Sequence, residues 1–258
     1  MSKILYKVDN VSFEYEKDKK VIDGLSLDIN EGEVTTIIGA NGCGKSTLFN
    51  LLLKGNKINS GKIYFEGENI SNIKLKQFAR KVAAVHQMNT APEDIKVKDL
   101  VAFGRTPYRD LCGGLTKKDF EKIERAMEIT GTKELENVEF AKLSGGQKQR
   151  VWIALALAQD TKVLFLDEPT TYLDIKYQLD ILGLVEKLNK QLGMTIIMVL
   201  HDINQAIRYS GNIIAMKAGK VVKSGAPSEV ITSELIKNIY GVNLNVNMVD
   251  NMPTVVVR

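Results

Sequence analysis

The sequence predicts an α/β protein built on a mostly parallel sheet, with an N-terminal antiparallel β subdomain and an inserted α-helical subdomain. From residue 162 onward, short apolar strands alternate with helices. Residues 4–15 and 25–29 alternate apolar and polar side chains as half-buried strands do, and residues 93–159 are mainly helical in pattern. Strands that alternate with helices form parallel sheets covered on both faces, so the helical stretch is interpreted as an insertion into the α/β core.

The chain of 258 residues is long enough for one large domain, and its 44% hydrophobic and 26% charged residues are typical of a globular protein. We expect a single domain over residues 1–258. The α/β core with the β subdomain is expected at about 1–88 and 160–258, and the helical subdomain at about 89–159.

The first elements follow from alternation and from glycine stops. The expected elements are strands at 4–15, 25–29 and 33–38, a helix at 45–53 that stops near Gly55, and a hairpin at 61–70. Thr116 and Asp119 have the spacing of a capping box before a helix.

The later elements are strands at 162–166, 194–200 and 212–217, with helices at 175–192 and 204–209 between them. The long helix carries apolar residues three or four apart, which predicts one apolar stripe. These residues are Ile175, Leu179, Leu182, Val185, Leu188 and Leu192. The last 40 residues predict a strand, a turn, two short helices and two weak strands, without assigned chemistry.

Composition excludes several classes of protein. The 35 basic and 31 acidic residues give a net charge of +4, too small an excess to indicate nucleic-acid binding. Two cysteines, Cys43 and Cys112, give no disulfide framework and fit a reducing cytosol. The longest apolar runs fall short of a membrane span, and the first ten residues lack a signal-peptide core, so we expect a cytosolic chain.

The run GANGCGKST matches the phosphate-binding pattern G-x-x-x-x-G-K-[ST], with a strand before it and a helix after it. Backbone amides would surround phosphate oxygens, Lys45 would bridge the β- and γ-phosphates, and the Ser46 hydroxyl would bind Mg²⁺. Cys43 is interpreted as a small filler, with a redox role as the alternative. The predicted nucleotide-binding residues are Gly39, Ala40, Asn41, Gly42, Cys43, Gly44, Lys45, Ser46 and Thr47.

The apolar strand VLFL ends in two carboxylates, Asp167 and Glu168. The carboxyl edge of a parallel sheet is where such proteins bind ligands. Asp167 suits Mg²⁺, reached through water, and Glu168 suits a base that activates the attacking water. These residues, following the phosphate loop, predict nucleotide hydrolysis by a P-loop NTPase core.

A third motif, LSGGQ, comprises Leu143, Ser144, Gly145, Gly146 and Gln147. Ser144 is a good helix cap, and the glycines expose the first backbone amides of a helix to an anion. Ser144 of LSGGQ follows Lys45 by 99 residues (144 − 45) and precedes Asp167 by 23 (167 − 144). This order and spacing resemble the ATP-binding cassette (ABC) family, over nearly the whole chain.

The resemblance assigns roles to four further residues. Tyr15 resembles the aromatic on which adenine stacks, although a strand aromatic alone would be read as core. Gln87 resembles the glutamine that touches Mg²⁺ and the attacking water, and Asp174 in TTYLD lies where the family has its dimer interface. His201 resembles the switch histidine that contacts the γ-phosphate, which gives Glu168, His201, Gln87 and Lys45 as the catalytic set.

The resemblance also implies a composite site in a homodimer, with ATP and Mg²⁺ as its ligands. LSGGQ of one copy would meet the γ-phosphate held by the loop of the other, and hydrolysis would open the pair. Tyr172 departs from the small residue that is common at its position.

The chain has one set of motifs, no fused membrane helices and no room for a long coiled coil, which favours an importer ATPase that binds separate transmembrane permeases. The runs at 104–110, 169–175, 201–210 and 225–232 resemble the ATPases of ferric-siderophore uptake. Haem, cobalamin and metal-ion importers are the alternatives, followed by a regulatory or nucleic-acid-associated cassette.

Residues 88–109 are expected to bind a segment of a permease, or else to form a plain surface loop. The expected location is the cytoplasmic face of the membrane, with an external substrate-binding protein as an indirect partner.

Overall fold

The computed structural model describes residues 3–17, 19–109 and 113–256, so Asp110 and Cys112 lie outside the described residues. Contacts divide the chain into two compact units. The first unit comprises Met1–Ile73 with Gly193–Arg258, and the second comprises Lys74–Leu192. The limits predicted for the helical subdomain, about 89–159, stay a prediction.

The strands occur where apolar and β-branched residues alternate or cluster. In chain order they are β1 (Ile4–Glu14), β2 (Lys20–Asn30), β3 (Val34–Gly39), β4 (Ser60–Phe65), β5 (Glu68–Asn69), β6 (Val82–Val85), β7 (Val163–Asp167), β8 (Thr195–Val199), β9 (Asn212–Lys217), β10 (Lys220–Gly225), β11 (Asn245–Val249) and β12 (Met252–Val256).

The α-helices are α1 (Lys45–Leu52), α2 (Leu75–Phe78), α3 (Val97–Ala102), α4 (Lys117–Thr130), α5 (Gly145–Ala158), α6 (Ile175–Leu192), α7 (Ile203–Tyr209), α8 (Pro227–Val230) and α9 (Ser233–Tyr240). Short 3₁₀ turns occupy Phe103–Tyr108, Lys133–Leu135 and Phe140–Lys142.

An antiparallel sheet of order β2-β1-β4-β5 forms the predicted N-terminal β subdomain in the first unit. Its side chains alternate in burial, as expected of half-buried strands: Tyr6 and Val8 of β1 are buried while Lys7 is exposed. The rings of Tyr6 and Phe65 lie 4.9 Å apart. β2 begins at Lys20, five residues earlier than the strand predicted from residue 25.

The first unit also contains parallel strands in which β3 pairs with both β8 and β9, while β10 runs antiparallel to β9. Every residue of β3 is buried, which fits a strand covered on both faces. β3 ends at Gly39, opposite Met216 of β9. The chain therefore leaves the carboxyl edge of the sheet at the predicted phosphate loop.

The second unit combines the parallel pair β6 and β7 with an apolar helical core. The predicted capping box is confirmed: Thr116 accepts from the Asp119 amide, and the Asp119 carboxylate accepts from the Thr116 amide. Asp119 also accepts a hydrogen bond from the Nε of buried Arg105 at 2.8 Å. The arginine donates a second bond to the Ala158 carbonyl at 2.7 Å, which ties α4 to the end of α5.

The single apolar stripe predicted for α6 is only partly correct. Leu182, Val185 and Leu188 are buried, as expected. Ile175 is 76% exposed, and Leu179 and Leu192 are also exposed, so the stripe is covered only in the middle of this 18-residue helix.

Candidate functional site

The phosphate loop links β3 to α1 and holds its lysine inward. Lys45, the first residue of α1, is 5% exposed. Its ammonium group donates to the carbonyl oxygens of Gly39 at 2.8 Å and Ala40 at 3.1 Å. Asn41, Gly42 and Ser46 are exposed around it. The loop thus presents one cation, a helix N-terminus and an accessible hydroxyl to an anion.

Strand β9 and the turn after it support the loop from within the first unit. A Cβ atom at Gly39 would lie 2.5 Å from the Met216 carbonyl oxygen and 2.7 Å from the Cys43 sulfur, so only glycine fits. The Gly219 amide donates to the Cys43 carbonyl at 2.9 Å. Gly219 has a φ of +76°, and a Cβ there would overlap the Val21 carbonyl. The loop backbone is therefore fixed before any ligand arrives.

Two titratable side chains lie against the inner side of the loop. Burial raises the pKa of the Cys43 thiol, and the nearby Lys45 charge offsets only part of this effect. A thiol with a raised pKa is a poor nucleophile, which supports the interpretation of Cys43 as a filler. Burial also raises the pKa of Tyr240 to about 12, while the Gly39 backbone amide beside the phenol lowers it.

Tyr15 lies beside the loop with its ring in solvent. The side chain is 60% exposed, and its hydroxyl lies 3.4 Å from the Thr47 hydroxyl. The ring meets Phe13 edge-on at 4.7 Å, which orients it. An exposed, oriented aromatic next to a phosphate cradle offers a surface on which a flat base can stack.

In the second unit, the side chains of Gln87 and Glu168 contact each other. Gln87 follows β6 and Glu168 follows β7, and the Gln87 Nε2 donates to the Glu168 carboxylate at 2.5 Å. The Thr171 hydroxyl donates to the same carboxylate oxygen at 3.2 Å. Glu168 has a φ of +50°, a left-handed conformation that costs about 1–3 kcal/mol and that often occurs at functional sites. Asp167, the last residue of β7, is buried.

His201 belongs to the first unit and follows β8. It is exposed, and it directly precedes Asp202, which caps α7 by accepting a hydrogen bond from the Gln205 amide at 2.9 Å. The histidine backbone therefore lies between the end of β8 and the start of α7, and the position of α7 contributes to where it lies.

The LSGGQ run forms the start of α5 in the second unit. Ser144 is the N-cap, as predicted, and it forms a capping box with Gln147: the Ser144 amide donates to the Gln147 side chain at 2.9 Å. Leu143 is buried in the helical core, whereas Ser144 and Gly145 are exposed. At Gly146, a side chain would overlap the Tyr177 ring. The motif is an anchored helix N-terminus with an accessible tip.

Asp174 is exposed at the start of α6. Tyr172, two residues before it, is 95% exposed and has a φ of +64°. The phosphate loop, Tyr15 and His201 thus belong to the first unit, while Gln87, the carboxylates, LSGGQ and Asp174 belong to the second.

Sequence reasoning missed the residues that support the site. Gly219 and Tyr240 lie in the segment to which no chemistry was assigned, 180 and 201 residues after Gly39 in sequence (219 − 39 and 240 − 39). Arg105 ties Asp119 to the end of α5, and the sequence indicates the capping role of Asp119 but not its bond to Arg105. Gly219 follows a strand and Tyr240 precedes a glycine, and both patterns are common in sequences. They indicate a turn after each residue's element but do not indicate a contact with the phosphate loop.

The described side chains offer oxygen ligands for a divalent cation. The hydroxyl of Ser46 and the carboxylate of Asp167 are of the kind that Mg²⁺ prefers, and the side-chain oxygen of Gln87 completes the predicted set. The donor chemistry fits the predicted metal.

Comparison with known proteins identifies the family of the chain. The family model described as "ABC transporter" matches residues 22–171. The ferric enterobactin transport ATP-binding protein FepC of Escherichia coli (strain K12) is 46% identical over 221 residues, covering 86% of this chain and 82% of FepC. The iron(3+)-hydroxamate import ATP-binding protein FhuC of Bacillus subtilis (strain 168) is 42% identical over 229 residues, covering 89% and 85%.

Solved structures share the fold over most of the chain. An inward-facing putative metal-chelate type ABC transporter matches with a TM-score of 0.85 and 27% identity, covering 98% of this chain and 97% of that one. The ATP-binding cassette MJ0796, solved as a dimer bound to ADP and Pi, matches with a TM-score of 0.74 and 28% identity, covering 86% and 98%. Among residues 3–17, 19–109 and 113–256, no helix has both the length and the apolar character of a membrane span.

Proposed function

This chain belongs to the ABC transporter family, and from that premise we propose that it is the ATP-hydrolysing subunit of an importer that takes up ferric siderophores through separate permease subunits. The hydrolytic part of the proposal rests on one observation. The Glu168 carboxylate is held at the end of β7 by Gln87 at 2.5 Å and by Thr171 at 3.2 Å. A carboxylate fixed in this way can accept a proton from a water molecule.

Binding of ATP is the task of the first unit. Lys45 would exchange its bonds to two loop carbonyls for bonds to the β- and γ-phosphates, while the loop amides and the N-terminus of α1 receive the remaining negative charge. Tyr15 would stack on the adenine. His201 would contact the γ-phosphate.

Mg²⁺ would be held by Ser46, Gln87 and, through water, Asp167. When bound, it neutralises the negative charge that develops on the transferred phosphoryl group. Gln87 would also orient the attacking water, and Glu168 would take its proton.

Two copies of the chain arranged head to tail would complete each site. Ser144 and Gly145 are exposed at a helix N-terminus, which suits contact with the γ-phosphate bound by the other copy. Leu143, Gly146 and Gln147 would hold this tip in place, and Asp174 would lie in the interface. The cassette MJ0796, which is 28% identical, was solved as a dimer, and this supports the pairing of two copies.

The permeases would bind along residues 88–109, where Met88 is 87% exposed and Phe103 is 52% exposed. Exposed apolar side chains at this point suit a helix of a membrane protein. The chain would then work as a peripheral subunit on the cytoplasmic face of the membrane, and an external binding protein would deliver the cargo to the permeases.

The cargo is inferred from relatives. FepC is named for ferric enterobactin and FhuC for iron(3+)-hydroxamate, and both cover more than four fifths of this chain. Both names refer to iron(III) held in a chelate. The proposal therefore names the class, ferric siderophores, in preference to haem, cobalamin or a free metal ion.

The hydrolytic role is tested with Glu168→Gln in purified protein, with and without the permeases. Loss of a general base lowers turnover by about 10²–10⁴. We expect this loss with ATP binding retained, whereas Glu134→Gln, a change of an exposed glutamate in the same unit, should leave turnover unchanged. Full turnover in Glu168→Gln would refute the assignment of the base.

The cargo is tested with a deletion strain grown on single iron sources. We expect growth to fail on one or more ferric siderophores and to return with the wild-type gene but not with Glu168→Gln. Normal growth on every siderophore, together with loss of haem or cobalamin uptake, would contradict the proposed cargo class and leave the ATPase role intact.

A further inference from the structure

The side chain of Asn204 bonds to the backbone of the C-terminal hairpin as a neighbouring strand would. Asn204 lies on α7, and its Nδ2 donates to the Val255 carbonyl at 3.0 Å. The Val255 amide donates in return to the Asn204 Oδ1 at 2.8 Å. Val255 belongs to β12, 51 residues further along the chain. The side-chain amide of Asn204 thus bonds to both the N–H and the C=O group of Val255, and it takes the place of the two hydrogen bonds that a neighbouring strand would form there.

Helix α7 depends on such contacts because it has only seven residues. Isolated helices of this length are not stable in water, so tertiary contacts decide where α7 lies. On its inner side, Ala206 and Ile207 are buried. Asn204 supplies a directional contact, and β12 packs along the helix.

The position of α7 matters because His201 directly precedes its N-cap, Asp202. A displacement of the helix would carry the histidine backbone with it. A displacement of about 1 Å near reacting groups can cost about 10²-fold in rate.

We propose that Asn204, together with its bonding partner Val255 on β12, is a positioning element for His201. This pair contributes to hydrolysis through α7 and without touching the nucleotide. This inference rests on the proposed contact of His201 with the γ-phosphate.

The first test is Asn204→Ala in the full chain. Turnover should fall about tenfold, while the dissociation constant for ATP, set by the phosphate loop, should stay within a factor of two of wild type. Asn247→Ala is the matched control, because Asn247 is an exposed asparagine on β11 of the same hairpin. It should leave turnover unchanged.

The second variant breaks the same pair from the strand side. Val255→Pro removes the amide that bonds to Asn204, and because this amide is directed to Asn204, the pairing with β11 keeps its hydrogen bonds. The double variant should lose no more turnover than the stronger single variant, as expected of two changes to one interaction. If Val255→Pro does not fold, Asn204→Ala alone decides the question.

The third measurement follows the histidines directly. The chain has two, His86 and His201, so their imidazole NMR signals can be assigned with His86→Asn. Asn204→Ala should shift the His201 signal and leave that of His86 in place, which a general loss of stability would not do.

The outcomes separate the two proposals. Unchanged turnover in His201→Ala would overturn the proposed role of this histidine, and the positioning inference with it. If His201→Ala lowers turnover but Asn204→Ala does not, or does so without moving the His201 signal, the positioning inference alone is overturned.

Discussion

Replacing Asp119 by asparagine should destabilise the second unit at neutral pH and have much less effect in acid. The Thr116 hydroxyl, the Thr116 amide and the Arg105 guanidinium together hold the pKa of Asp119 at about 2, against the opposing effect of burial. The carboxylate is only 10% exposed, so solvent weakens these bonds little.

The magnitude follows from the pKa. The difference between the ordinary value of 3.8 and about 2 corresponds to about 2 kcal/mol of stability at neutral pH, at about 1.4 kcal/mol per unit. Because the folded-state pKa is the lower one, this stability is present above pH 4 and is lost as the pH falls from about 4 to about 2. At pH 3 about half of it should remain.

The assay is urea unfolding followed by fluorescence between pH 7 and pH 3. Trp152 is the only tryptophan of the chain and lies on α5, where its ring meets Phe140 at 5.3 Å. Asp160→Asn is the control, since the ion pair of Asp160 with Lys122 is largely exposed and is worth less than about 1 kcal/mol. A difference between wild type and Asp119→Asn that stays constant down to pH 3 would refute the reasoning.

Three further predictions concern the site. Gly219→Ala should weaken ATP binding in calorimetric titrations, because its Cβ would overlap the Val21 carbonyl and displace the amide that bonds to Cys43; unchanged affinity would exclude this support of the loop. Ser144→Ala should lower stability by about 1 kcal/mol through loss of the cap and abolish most ATPase activity, with nucleotide binding by the monomer retained; normal activity would contradict a role in the composite site. Lys45→Ala should abolish binding of a fluorescent ATP analogue, and residual affinity near wild type would show that the backbone amides suffice.

Elements defined by local patterns were predicted correctly from the sequence. The strand that ends at Gly39, the helix capped by Thr116 and the helix capped by Ser144 each carry their own start or stop signal. The start of β2 was missed because residues 20–24 end in Asp-Gly, a common turn pair, and are strand only because they pair with β1. The bounds of α6 were predicted correctly, but the burial predicted for Ile175, Leu179 and Leu192 was wrong. Periodicity predicts which face of a helix a side chain lies on, but not whether a neighbouring element covers that face.

In the candidate site too, residues in local motifs were predicted, whereas residues that depend on contacts distant in sequence were not. Lys45 and Glu168 are candidates because they lie in motifs of the sequence, whereas Gln87 is a candidate only through the resemblance to the ABC family. Asn204 and Gly219 act through backbone groups of residues far along the chain, and no pattern in one sequence indicates such a bond. Their contribution becomes visible only when the fold brings the two segments together.

The inward position of Lys45 has a consequence for which anions the loop accepts. Its ammonium group already holds two carbonyl oxygens, at 2.8 Å and 3.1 Å, so every incoming anion competes with bonds that the protein has made to itself. An anion that bonds to Lys45 therefore gains less net free energy than it would from a lysine without such bonds, because two hydrogen bonds are given up in the exchange. A triphosphate chain is long enough to contact the lysine and several loop amides together, so it can form more bonds to offset that loss than a small anion can.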